Sequence, residues 1–212
     1  MKDVLSRLKL APPEPSIPEP VVAVRAPTRA SVPLFGFWLY LLSDAIIFAC
    51  LFATYAVLHG HTFGGPGARE LFSLPYVLLE TVLLLTSSFT AGLGVLAAHQ
   101  GRVRQVMGWF SLTLLLGLSF LSLELHEFAL FVAAGHGPRG SAFLSSYFTL
   151  VGTHGFHVAV GALWMLFMLA SIHHRGLSGT NVRRLTMLSL FWHFLDVIWI
   201  FIFTIVYLFP FI

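Results

Sequence analysis

The sequence predicts an all-α, polytopic integral membrane protein, a five-helix transmembrane bundle preceded by a disordered N-terminal arm. Three observations carry that expectation. Of 212 residues, 57% are hydrophobic and 10% charged, with a mean hydropathy of +0.86, too few charges to cover a water-facing surface. The apolar residues gather into five blocks of about 25 residues or more, and at 1.5 Å per residue each exceeds the ~30 Å hydrocarbon core of a bilayer. None of the 12 Lys and Arg residues falls inside a block.

Residues 1–33 are different material. The stretch APPEPSIPEPVVAVRAPTRASVP is Pro-rich, and the arm carries Lys2, Arg7, Lys9, Arg25 and Arg29 without the apolar core of a signal peptide. It reads as a solvated cytoplasmic arm, its amphipathic start MKDVLSRLKL included. The five spans then cover about 34–58, 74–98, 106–133, 143–172 and 185–209. Between them stand HGHTFGGPGARE, HQGRVRQ, GHGPRGS and HHRGLSGTNVRR, short turn-forming segments that make successive spans antiparallel.

Ten basic residues lie on the arm's side of the membrane and two, Arg69 and Arg139, on the other. This asymmetry places the N-terminus in the cytoplasm and the C-terminal LFPFI outside. The formal charge of +3 is thus orientation charge and does not point to nucleic acid. One cysteine, Cys50, excludes a disulfide framework or a Cys-ligated cluster. An odd number of spans without an evident repeat is unlike an inverted-repeat transporter.

The chemistry lies in the polar residues inside the blocks. Asp44, Glu80, Glu124, Glu127 and Asp196 are five of the nine acidic residues. An ionised carboxylate in hydrocarbon costs several kcal/mol, so each must be protonated, hydrogen-bonded or turned to a polar interior. By depth, Asp44, His154 and Asp196 fall near the midplane with His157 and His193 within a turn, while Glu80, Glu124, His126 and Glu127 lie nearer the outer face. Three readings are open: a metal or haem site using His154, His157 and His193, since histidines at i and i+3 share a helical face; a proton or ion path; and polar contacts that tie helices together. Gly152, Gly155 and Gly161 beside the histidine pair favour packing over a ligand pocket, and Gly92, Gly94, Gly108 and Gly117 read as packing surface on the second and third spans.

Five segments, FGFWLYLLSDAIIFACLFATYAVL, LLETVLLLTSS, SLELHEF, VGTHGFHVAVG and LFWHFLDVIWIFIFTIVYL, together resemble subunit III of the haem–copper terminal oxidases. They occur in the family's order and cover nearly everything from Leu34 onward. The length is similar to the short five-helix form, and the first span is most similar to that of bacterial cytochrome bo-type ubiquinol oxidases. The resemblance implies a subunit without catalytic or metal-binding residues of its own. Haem, copper and ubiquinol chemistry would belong to partner subunits. The chain would sit in the bacterial inner membrane against subunit I, with subunits II and IV in the complex. It would bind phospholipid and support proton uptake and turnover stability.

By the same resemblance Asp44 matches the family's intramembrane carboxylate, Glu124 and Glu127 its paired acids, and His154, His157, His193 and Asp196 an interhelical polar network. Trp192 and Trp199 match its motif aromatics. The chain lacks the first two helices of long members, so a lipid cleft within the subunit is not implied. Asp44 is shorter than the Glu of many relatives, and Glu80 stands where some carry Asn.

Overall fold

The computed structural model describes residues 31–212, and expectations for residues 1–30 lie outside the described residues. The helices are α1 (Ser31–Leu58), α2 (Ala68–Leu71), α3 (Leu74–His99), α4 (Val103–Ala133), α5 (Ala142–Arg175) and α6 (Gly179–Ile202). A π-helical turn, Phe203–Leu208, and a 3-10 turn, Phe209–Phe211, continue α6 to the end of the chain. All but α2 are long and apolar enough to cross a membrane.

The helices overrun the apolar blocks on the loop side. α4 begins at Val103, α5 continues to Arg175 and α6 begins at Gly179, so Arg104, His173, His174, Arg183 and Arg184 are helical. Backbone hydrogen bonding does not stop where side chains become polar, and long basic side chains place their charge in the interface. The helices stop where the local chemistry demands it. Gly176, at φ 70°, closes α5. Ser141 Oγ accepts from the Leu144 N–H at 3.1 Å to start α5, and Ser178 Oγ accepts from the Asn181 N–H at 3.2 Å to start α6.

Four helices close a ring in which α3 packs on α4, α4 on α5, α5 on α6 and α6 back on α3. α1 stands outside it, against α5 and to a lesser extent α6. A single stripe decides this: Leu41, Asp44, Phe48 and Tyr55, at helical spacing, are buried, while Phe35, Trp38, Leu42, Ile46 and Val57 face outward. The bundle is apolar outside and partly polar inside. Phe89, Phe156, Phe167 and Phe201 are exposed, whereas Thr81, Ser87, Ser88, Thr90 and Thr113 are buried. Small polar residues let helix backbones approach and bond across, and hydrocarbon solvates the bulky exterior.

The glycines divide into two kinds. A Cβ on Gly117 would lie 2.6 Å from the Trp192 ring, one on Gly94 2.7 Å from Phe110, and one on Gly161 3.1 Å from both Phe191 and Trp192. These positions are contact points in the packed interior. Gly108 meets nothing within 4 Å, and Gly92 meets only the His193 ring at 3.9 Å. The expectation that Gly108 serves as packing surface is therefore corrected, since it lies on the outward side of α4, whereas Gly92 keeps an ordinary contact with α6; sequence cannot tell such positions apart.

Candidate functional site

Two tryptophan rungs join α6 to α3. Trp192 Nε1–H donates to Ser87 Oγ at 2.9 Å, and Trp199 Nε1–H donates to Thr81 Oγ1 at 3.0 Å. The pairing runs in opposite directions along the two helices, as antiparallel spans require. Between α3 and α4, the Thr90 and Thr113 hydroxyls lie 2.8 Å apart. The two indole N–H groups would otherwise be unsatisfied in an apolar interior, whereas each hydroxyl also bonds a carbonyl of its own helix.

Toward the α2 end of the bundle the three glutamates gather with two tyrosines. Glu127 Oε2 accepts from Tyr147 OH at 3.1 Å and from Tyr207 OH at 3.2 Å, and the two hydroxyls are 2.9 Å apart. α4, α5 and the π turn after α6 thus meet at one carboxylate oxygen. Glu124 lies against Gly155, where an added Cβ would stand only 2.6 Å from Oε1. Both oxygens of Glu80 and Oε2 of Glu124 are buried without a protein partner. Sequence depth sets these acids apart from the midplane residues, but Gly155, against which Glu124 lies, stands between His154 and His157 on α5, so the two groups adjoin there.

The five midplane residues occupy different settings. His157 Nδ1 donates to its own helix at the Thr153 carbonyl, 2.7 Å away, and Nε2 lies 3.7 Å from Asp44 Oδ2 on α1. His193 Nδ1 likewise donates within its helix, to the Ser189 carbonyl at 2.6 Å. Its other side faces Gly92 of α3. His154 is fully buried and neither ring nitrogen has a hydrogen-bond partner. Its ring packs against Phe48, Phe120 and Trp199, with centroids 6.4, 6.0 and 5.2 Å away. Asp196 is buried with Oδ1 unpartnered.

His154, His157, His193 and Asp196 accordingly do not form one connected seam between α5 and α6. His157 reaches toward α1, His193 bonds within its own helix, and His154 is held by aromatic contact alone. Sequence spacing puts the residues on helices at similar depth but does not fix the rotation of each helix. Among the described residues no three His, Cys, Asp or Glu side chains converge in an arrangement that could hold a metal ion.

Comparison with known proteins gives this arrangement its context. The family described as cytochrome c oxidase subunit III matches residues 28–211. The chain belongs to that family. This subunit III is 56% identical over 175 residues to cytochrome bo(3) ubiquinol oxidase subunit 3 of Pseudomonas aeruginosa, covering 82% of this chain and 84% of that protein. It is 50% identical to the protein of the same name from Pseudomonas putida, with the same coverage. Against cytochrome c oxidase subunit 3 of Bacillus sp. strain PS3 it is 48% identical over 173 residues, again covering 82% and 84%. The chain is subunit III of a terminal oxidase, a multi-pass membrane component of an oxidoreductase complex.

Several of the subunit's interhelical polar contacts use residues that sequence reasoning passed over. Tyr147, Tyr207, Thr81 and Ser87 complete the Glu127 and tryptophan contacts. A signal was present in the six-residue spacing of Thr81 and Ser87 on α3, close to the seven-residue spacing of Trp199 and Trp192 on the antiparallel α6. Nothing in sequence alone pairs Tyr207 with Glu127, 80 residues away.

Glu127→Leu is expected to destabilise the assembled complex by about 1–3 kcal/mol, because two buried tyrosine hydroxyls lose their common acceptor. Glu127→Gln keeps an acceptor oxygen and should lose less than half of that. Thermal inactivation of the purified complex measures both. Equal midpoints for Leu and wild type would show that the acceptor is not needed.

Proposed function

We propose that this chain is the non-catalytic subunit III of a proton-pumping ubiquinol oxidase in a bacterial inner membrane. Ubiquinol oxidation and O₂ reduction to water would take place on haem and copper held by partner subunits. This chain would pack directly on subunit I, beside subunits II and IV, and support assembly, phospholipid binding and endurance during turnover. Residues 1–33 are its cytoplasmic arm, and the C-terminus lies outside.

The observation that supports a holding role is how the intramembrane polar side chains are used. Trp192, Trp199, Thr90 and Glu127 each bond to another helix, and His157 faces Asp44 across the α1–α5 contact. On this reading His157 and Asp44 fix the peripheral α1 to the ring. Asp196 on α6 and His154 on α5 fill the buried interior of the bundle, while His193 stands exposed on α6 beside Gly92 of α3. Phospholipid and partner subunits would cover the outward phenylalanines and leucines.

Purification through a tag on this chain tests the reading, since a large haem-bearing subunit should come with it. His157→Leu removes the side chain facing Asp44 and is expected to shorten the oxidase's lifetime during turnover, with the haem spectrum of assembled complex unchanged. Asp196→Asn should act in the same direction. Loss of a haem band from otherwise assembled complex would refute a non-catalytic role. The Bacillus relative supports a second reading, subunit III of a cytochrome c oxidase; copper ligands in the copurifying subunit II would favour it, and their absence the quinol reading.

A further inference from the structure

At the α2 end of the bundle a cavity of about 440 Å³ opens between the end of α1, α2, the start of α5 and the last turns of the chain. Its walls include Tyr55, His59, Arg69, Glu70, Phe143 and Phe209. We propose that it binds the headgroup of a zwitterionic aminophospholipid, with the phosphate on Arg69 and the ammonium on Glu70. The proposal rests on the reading of the chain as an oxidase subunit embedded in phospholipid, and gives the lipid part of that reading one place and one chemistry.

Height in the membrane is the first argument. Tyr55 stands three residues before the end of α1, Phe143 is the second residue of α5, and Phe209 follows the π turn. Arg69 and Glu70 belong to the segment between the first two spans, Leu34–Leu58 and Leu74–His99. The cavity therefore sits where spans end and charged loop residues begin, at the level of lipid headgroups. Its volume lies within the ~300–1,000 Å³ typical of small-ligand sites.

Charge is the second. Arg69 and Glu70 are exposed neighbours that line the same cavity. Among the described residues the charged-pair contact within 4.0 Å is His157 with Asp44, so Arg69 and Glu70 do not neutralise each other. The Arg69 guanidinium donates through Nε to the Pro210 carbonyl. That bond anchors it at the rim and uses one of its five donors, which leaves four for phosphate oxygens. His59 is held by its own Nδ1 bond to the Ala56 carbonyl at 2.8 Å, with Nε2 remaining.

The walls supply the third. Tyr55 and Phe143 are buried and form an aromatic floor, while Ile205 and Phe209 line the cavity and are themselves exposed. An acyl chain leaving the headgroup thus meets apolar side chains. An uncharged quinone ring would leave both Arg69 and Glu70 without a charged partner on the ligand. A phosphatidylglycerol would satisfy Arg69 but set a neutral glycerol against Glu70. A phosphoethanolamine-type headgroup answers both.

The test uses the whole oxidase, purified through this chain and equilibrated in vesicles of equal phosphatidylethanolamine and phosphatidylglycerol. Retained lipid is then counted and identified by native mass spectrometry. Wild type should retain one phosphatidylethanolamine that Arg69→Ala loses, with binding about tenfold weaker. Arg69→Lys should recover part of it. Glu70→Gln leaves the Pro210 contact in place, so it keeps the lipid count while losing the preference for the ethanolamine headgroup.

Unchanged lipid identity and count in both Arg69→Ala and Glu70→Gln would overturn the site. So would a wild type that retains phosphatidylglycerol or quinone there. If Arg69→Ala fails to assemble, the headgroup preference of Glu70→Gln alone decides. A chain that brings down no haem-bearing subunit would instead refute the oxidase reading, and lipid counted on that chain would still report on the cavity.

Discussion

Gly117→Ala is expected to destabilise the bundle by about 1–3 kcal/mol, and Gly117→Leu to prevent its correct packing. The new Cβ would lie 2.6 and 2.7 Å from two carbons of the Trp192 ring. That ring has nowhere to retreat. Its N–H is held by Ser87 on α3, and its other edge lies so close to α5 that a Cβ on Gly161 would stand only 3.1 Å from it. Gly108→Ala, in the same helix with nothing within 4 Å, should be neutral or stabilising by up to about 1 kcal/mol, because alanine favours the helix. Thermal aggregation of the detergent-solubilised chain compares the two. Identical midpoints for Gly117→Ala and Gly108→Ala would contradict the assignment of α4's inward face.

Trp192→Ala is expected to cost more, about 3–5 kcal/mol. The side chain is 1% exposed and among the largest fully buried groups in the chain. It touches three other helices, through Ser87 on α3, Gly117 on α4 and Gly161 on α5. Ser87 keeps its own bond to the Leu84 carbonyl at 2.6 Å, so the loss is mainly of packing. Because lipid tails are as apolar as the interior, that packing is what holds membrane helices together. Trp192→Phe keeps most of the ring and forfeits the hydrogen bond, which should cost nearer 1 kcal/mol. Trp38→Ala, at an exposed position on α1, should change little. Assembly level and thermal midpoint together rank the three, and a Trp38 effect as large as that of Trp192 would refute the proposed order.

The contrast between these tryptophans marks where sequence reading stops. LFWHFLDVIW identifies Trp192 and Trp199 as a recognisable pair, yet only the fold shows that both turn toward α3. GFWLY looks no different, and Trp38 faces outward. Periodicity cannot resolve such cases because every face of a membrane helix is apolar, so the amphipathic stripe that orients a helix in a soluble protein is weak. The same weakness explains the histidines. Their spacing predicts a shared face on α5, and both rings do meet Phe48 of α1, but His154 lies deeper, against Phe120 and Trp199, while His157 reaches Asp44.

The glutamates were more legible than their partners. Charged groups inside apolar blocks announce themselves by cost, so Glu80, Glu124 and Glu127 stand out in a one-dimensional reading. Tyrosine carries no such penalty and does not. Tyr147 and Tyr207 acquire their role only when α5 and the turn after α6 bring both hydroxyls to Glu127. α2 escaped for a different reason: AREL is a single turn, too short to generate a period.

Sequence by itself determined the number of spans, the membrane setting and the family, because these rest on length, apolar content and ordered motifs. The tertiary structure decided which polar residues meet. It put α1 outside a ring of α3 to α6, split the histidines among separate contacts, and set Gly117 against Trp192 while leaving Gly108 bare. The physical reason is rotational: hydrophobicity fixes a helix in the bilayer, and only the close fit of its neighbours fixes which way it turns.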